Sequence, residues 1–179
     1  VTLDPAISLA LSFSLAALLA ASAAHKLKAP RAFAGVVRDY QIAPASLSPL
    51  LVIAVIALEA AIAAGLLAPS LRSVAALGAA TLFAGYGLAI GVNIARGRNA
   101  IDCGCSFGGG AQLTPLLLVR NGVLVCAALA ALLPVAARPL VMVDYSSIGI
   151  FVLAIGVLYV TAESIISNTA RFGAMESVR

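Results

Sequence analysis

Charge is scarce in this sequence. Only 10% of its 179 residues are Asp, Glu, Lys or Arg, against about a quarter in a soluble domain. Together with 63% hydrophobic residues and a mean hydropathy of +1.11, that scarcity excludes an ordinary soluble domain. Cysteine is also sparse. Three thiols close at most one intramolecular disulfide, so the chain is no disulfide scaffold. A single histidine and no second Cys or His pair argue against a four-coordinate metal centre. The small excess of 11 basic over seven acidic residues sits mostly in loops beside apolar segments. It therefore reads as membrane topology and lipid headgroup contact, and nucleic-acid binding is excluded as a reading. No internal repeat is visible.

What is present is long apolar runs. Residues 5–24, 46–68, 73–95, 115–137 and 145–167 each suit the roughly 20 residues needed to cross a bilayer. The expectation is an all-α integral membrane protein, a bundle of about five transmembrane helices forming one domain over residues 1–179, with no room for a soluble domain. The first run ends Ala21-Ser22-Ala23, like a signal-peptidase site, but Asp4 and no basic residue precedes it. That speaks against a cleaved leader. Between the first two runs, His25 to Tyr40 is too polar to cross, and its spacing of Phe33, Val36, Val37 and Tyr40 predicts a short interfacial helix. Small residues crowd the second and third runs, Gly65 and Gly85 among them, and permit close helix packing.

The densest polar chemistry lies in the loop 96–114, around Cys103-Gly104-Cys105. Two thiols one residue apart can form a disulfide, bind a soft metal or act as paired nucleophiles, and each option uses the thiolate. The Cα atoms of residues i and i+2 can fall within the roughly 4.4 to 6.8 Å that a disulfide tolerates. Gly104 eases the turn, and so small a ring is strained and oxidising. Arg96, Arg98 and the dipole of a helix starting near Thr114-Pro115 would favour a thiolate. A metal shared with His25 and Asp102 is the weaker alternative, and loop cysteines without a role are the plain one.

Glu59 sits mid-run, where an ionisable group costs several kcal/mol unless protonated, paired or solvated. A proton acceptor for thiol oxidation, a lining group of a small-molecule cavity, and a neutral carboxyl hydrogen-bonded across helices all remain open. Cys126, roughly 16 Å down the fourth run, reads as a packing residue. Arg120 and Asn121 read as snorkelling toward headgroups.

With five spans, one side of the membrane collects Lys26, Lys28, Arg31, Arg38, Arg96, Arg98, Arg120, Arg171 and Arg179, and the other only Arg72 and Arg138. By the charge rule the first side, with the cysteine loop, is cytoplasmic.

Several of these residues together resemble the MauE family, methylamine utilisation membrane proteins related to the DoxX group. They are His25-Lys-Leu-Lys28, Phe33 to Tyr40 followed by Pro44, Glu59 before Gly65-Leu-Leu67, Arg96-Gly-Arg98, Cys103-Gly-Cys-Ser-Phe-Gly108 and Arg120-Asn121. The resemblance implies an inner-membrane protein that helps mature the small subunit of methylamine dehydrogenase, a periplasmic, disulfide-rich protein. It also implies a thioredoxin-like partner of the MauD type, and it matches Cys103 and Cys105 to the family's cysteine pair. A thiol-disulfide oxidoreductase is then the expected activity, with a quinone as a plausible electron acceptor. A non-catalytic scaffold for that assembly and a small-molecule or metal permease using Glu59 are the alternatives. The implied partner calls for a periplasmic loop, against the charge rule. The reading adopted is periplasmic, with Lys26, Lys28, Arg96 and Arg98 as a positive face around the thiols.

Overall fold

The structure, a computed structural model, describes residues 2–98, 101 and 113–176, without the side chains of 167 and 169–176. Cys103 and Cys105, with Asp102, lie outside the described residues. The described chain is helical throughout, apart from turns and one isolated bridge between Leu3 and Val135. Its helices are α1 (Pro5–Lys28), α2 (Pro30–Asp39), α3 (Ser48–Leu67, entered through a short 3-10 turn), α4 (Arg72–Ala95), α5 (Pro115–Ala130) and α6 (Met142–Glu176).

Local chemistry sets most of the boundaries. Proline occupies the first turn of α1, α2, α3 and α5, where its missing N–H is no loss. Asp4 caps α1, accepting from the Ala6 N–H at 2.8 Å. Pro30 ends α1 by forcing Ala29 out of the helical region, to φ −134°, ψ 59°. The chain then turns back as α2, which packs on α3.

Four segments are long and apolar enough to cross a membrane: Pro5–Lys28, Ala45–Leu67, Arg72–Ala95 and Met142–Ile166. The fourth apolar run departs from the expected 115–137. It forms only the 16 residues of α5, about 24 Å at 1.5 Å per residue. Beyond Ala130 the chain turns, and the Pro134 carbonyl accepts from the Leu3 N–H at 2.7 Å. α5 and this tail thus reach from the Lys28 end of the bundle to the Leu3 end. A clasp secures the latter end, where Arg138 bridges Asp4 at 2.8 Å and Asp144 at 2.7 Å. Hydrogen bonding to Arg138 holds the Asp4 carboxyl below its usual range.

The apolar core is built mostly from small residues. Ala76 and Ala79 of α4 are fully buried among Leu19 of α1 and Ile62 and Leu66 of α3, whereas Leu88, Leu153 and Val157 face outward. This is the arrangement of helices packed for lipid, where close backbone approach replaces a hydrophobic driving force. Gly65 marks the tightest approach, since a Cβ there would stand 2.9 Å from that of Ala75. Gly65→Val is expected to destabilise the bundle by about 1–3 kcal/mol through overpacking, read as a lowered unfolding midpoint in detergent. An unchanged midpoint would mean that the α3–α4 contact yields freely.

Candidate functional site

Glu59 lies roughly 16 Å along α3 from its first residue, at 1.5 Å per residue, and is fully buried. Its charge is met by a residue that topology counting assigns to a loop. Lys26, near the C-terminus of α1, is 2% exposed, with its Nζ 2.6 Å from Glu59 Oε1. Side chains on a helix lean toward its N-terminus. A lysine near the end of α1 therefore reaches back into the bundle, alongside Ser22 one turn earlier.

The same carboxylate oxygen accepts from Ser22 Oγ at 2.9 Å and from Tyr86 OH of α4 at 2.8 Å. Ser22 Oγ in turn accepts from Lys26 Nζ at 2.6 Å. Three helices thus converge on one oxygen. The second, Oε2, is buried and has no partner among the described residues. Glu59 borders a cavity of about 20 Å³, together with Ser22, Tyr86, Arg120, Asn121 and Tyr159. That is room for a single water with several polar neighbours. The Lys26 ammonium also lies over two aromatic rings, 5.2 Å from the Phe33 centroid and 5.6 Å from that of Tyr86. So many fixed donors suit Glu59 to a stationary charge better than to a transport ligand.

A second ion pair stands across that cavity. Arg120 Nη1 donates to both oxygens of Glu163, at 3.1 and 3.0 Å, linking α5 to α6. Arg120 therefore does not snorkel. Its side chain is 9% exposed and that of Glu163 7%, and its guanidinium lies 6.0 Å from the Tyr159 ring centroid. Asn121 is buried too and donates to the Leu117 carbonyl at 2.8 Å. Cys126 likewise departs from expectation, since it is exposed on the outside of α5.

Both ends of the cysteine loop are anchored close to this site. α4 closes with Gly97 at φ +71°, where the Gly97 N–H bonds the Ile94 carbonyl at 2.9 Å and the Arg98 N–H that of Asn93 at 3.0 Å. This is a Schellman cap, which needs a left-handed residue. At the far end Leu113 is buried, and Ile101 packs against the cluster that holds Leu113, Leu117, Ile90 and Tyr40. Arg96 is exposed and Arg98 half-buried beside this entry. Lys26 does not join them in a positive face, because its charge is spent on Glu59. His25 is exposed at the end of α1, and its suggested co-ligands Asp102, Cys103 and Cys105 lie outside the described residues.

Sequence reasoning singled out Glu59 but missed Lys26 as its partner, and missed Glu163 altogether. The available signals were a serine four residues before Lys26, on the same helix face, and one acid and one base in the last two apolar runs.

Comparison with known proteins gives one consistent answer. The family model described as methylamine utilisation protein MauE matches residues 4–134. A protein named methylamine utilization protein MauE from Paracoccus denitrificans is 39% identical over 129 residues, 72% of this chain and 69% of that protein. Its namesake from Paracoccus versutus is 41% identical over 139 residues, 76% and 74% of the two chains. One from Methylophilus methylotrophus is 43% identical over 102 residues, 57% and 54%. No solved structure matches the chain. The family match takes in Ser22, Lys26, Glu59, Tyr86, the cysteine loop and Arg120, but ends before Glu163.

Proposed function

The chain belongs to the MauE family of methylamine utilisation proteins, and on that premise we propose that it is a thiol-disulfide redox protein of the bacterial inner membrane. Its Cys103 and Cys105 exchange disulfides with a thioredoxin-like protein of the MauD type. The exchange supports disulfide formation and maturation of the methylamine dehydrogenase small subunit.

The observation that carries this reading is the setting of the loop. The described residues on either side of the cysteines, Gly97, Ile101 and Leu113, are fixed at one end of the bundle, where Arg96 is exposed. A thiol pair with arginines close by in the chain favours the thiolate needed for exchange with a soluble partner. In this reading the four long apolar helices α1, α3, α4 and α6 cross the membrane, α5 with its tail makes a fifth pass, and α2 lies at the interface.

The exchange balances as follows. A partner thiolate attacks one sulfur of the Cys103–Cys105 disulfide and a mixed disulfide forms, releasing the other sulfur as thiolate. The second partner thiolate then resolves the mixed disulfide. The partner leaves oxidised, and both cysteines are reduced by its two electrons.

A strain whose only copy carries Cys103→Ser and Cys105→Ser is expected to lose active methylamine dehydrogenase, to the level of a strain lacking the gene, while the variant still captures the thioredoxin-like partner. Disulfide content of the small subunit, read by mass spectrometry, checks the step directly. Full maturation in that strain sinks the redox reading and leaves a scaffold.

A further inference from the structure

Next to the buried ion pair, between α2, α3 and α4, lies a cavity of about 250 Å³. Its walls are apolar and aromatic, with Phe33 from α2, Tyr40 just after it, Val55 from α3, and Tyr86 and Ala89 from α4, and among the described residues Lys26 is the one charged residue that lines it. Three features define what would fit. An ammonium has three N–H donors. Two of those of Lys26 go to Ser22 and Glu59, and the third has no acceptor among the described residues. The adjacent carboxylate of Glu59 neutralises the ammonium, so an anionic headgroup would gain no net charge there, whereas a neutral carbonyl oxygen would take the free N–H. Phe33, Tyr40 and Tyr86 make the lining aromatic, which suits an aromatic or quinonoid ligand. A mostly apolar pocket with a few placed polar groups is the usual form of a small-molecule site.

We propose that this cavity binds the head ring of a lipid-soluble quinone, with one carbonyl hydrogen-bonded to Lys26. The assignment deepens the proposed function and rests on it for the electron donor. Oxidation of the Cys103/Cys105 dithiol breaks two S–H bonds, forms one S–S bond and releases two electrons and two protons. Reduction of a quinone takes up the same number, and both carbonyl oxygens become hydroxyls. The Lys26 ammonium stabilises the charge that develops on the carbonyl oxygen. Ile101 and Leu113, the described residues that flank the cysteines in sequence, pack in one cluster with Tyr40 and Ile90, and both of these line the cavity.

The test uses the full chain in lipid nanodiscs and a photoreactive azido-benzoquinone with a short alkyl tail, with the labelled peptides mapped by mass spectrometry. Labels are expected in the peptides of α2 and α4, competed by unlabelled decyl-benzoquinone and not by oleate. Ala89→Phe and Val55→Phe fill the cavity from two different helices and leave Lys26 and Glu59 unsubstituted, and each is expected to lower labelling by about tenfold, a 1.4 kcal/mol loss. The Cys103→Ser, Cys105→Ser variant is expected to label like the parent. Retained labelling with no dehydrogenase maturation defect in that variant would uphold the quinone site while removing the redox reading. Labels spread over the outward face of α6, labelling competed equally by oleate, or labelling unchanged in both cavity-filling variants that still fold would overturn the quinone site.

Discussion

Glu59→Ala is expected to be the most damaging single substitution in the bundle. Breaking a buried pair by removing one partner leaves the other charge uncompensated and costs about 3–5 kcal/mol, on the order of 10 °C in Tm for a chain of this size. The stranded group is Lys26, 2% exposed, with only the Ser22 hydroxyl and two ring faces left to it. Tyr86 loses its acceptor at the same time. Replacing both charges, as Lys26→Met with Glu59→Leu, is expected to recover most of the lost stability, because well-packed apolar pairs commonly equal buried ion pairs. Thermal unfolding of the two single variants and the double in one detergent completes the cycle. If the double variant is as unstable as the sum of the singles, the two residues are not coupled as the geometry requires. Quinone labelling of the double variant carries a second message. A stable double variant that no longer binds the ring separates the ligand role of Lys26 from its structural one.

Arg120→Met comes second, and its effect is expected to be local. Little of the apolar stretch of α6 is buried, and the helix packs chiefly on α1. The contact of Arg120 with both oxygens of Glu163 ties it to α5. Losing that contact strands a buried carboxylate and is expected to cost about 2–4 kcal/mol, discounted for the slight exposure of both side chains. Hydrogen exchange is expected to quicken in the second half of α6 while α1, α3 and α4 keep their protection, the signature of local opening. Glu163→Gln leaves an amide that Arg120 can still bond, and a smaller effect is expected. Equal exchange in parent and Arg120→Met would show that α6 is held by its packing on α1 alone.

These two expectations rest on pairs that the chain signalled only faintly. Glu59 stood out because a lone carboxyl in an apolar run is expensive wherever the helices end up. Its partner did not. Lys26 and Arg120 both sat at the margins of apolar runs, where a base ordinarily marks topology or snorkels, and the charge rule counted them with Lys28 and Arg96. In the structure both point inward, so two of the cations used to orient the protein do not report on loops. Cys126 shows the opposite error. A small thiol in mid-helix reads as packing, yet the rotation of α5 turns it outward and gives the inner face to Ala128 and Asn121. The short α5 was more nearly legible, since Pro134 stood in the run from the start.

By itself the sequence determined that the chain is helical and made for a membrane, roughly where the helices begin, that α2 is amphipathic, and that one carboxyl needs help. All of these follow from hydropathy, proline and spacing, which act on residues a few positions apart. Only the tertiary structure decided which cations answer Glu59 and Glu163, from 33 and 43 positions away, and that a ring-lined cavity opens beside Lys26. Such pairings depend on how each helix is rotated and where it crosses its neighbours, and close packing of small residues sets those quantities across the whole bundle.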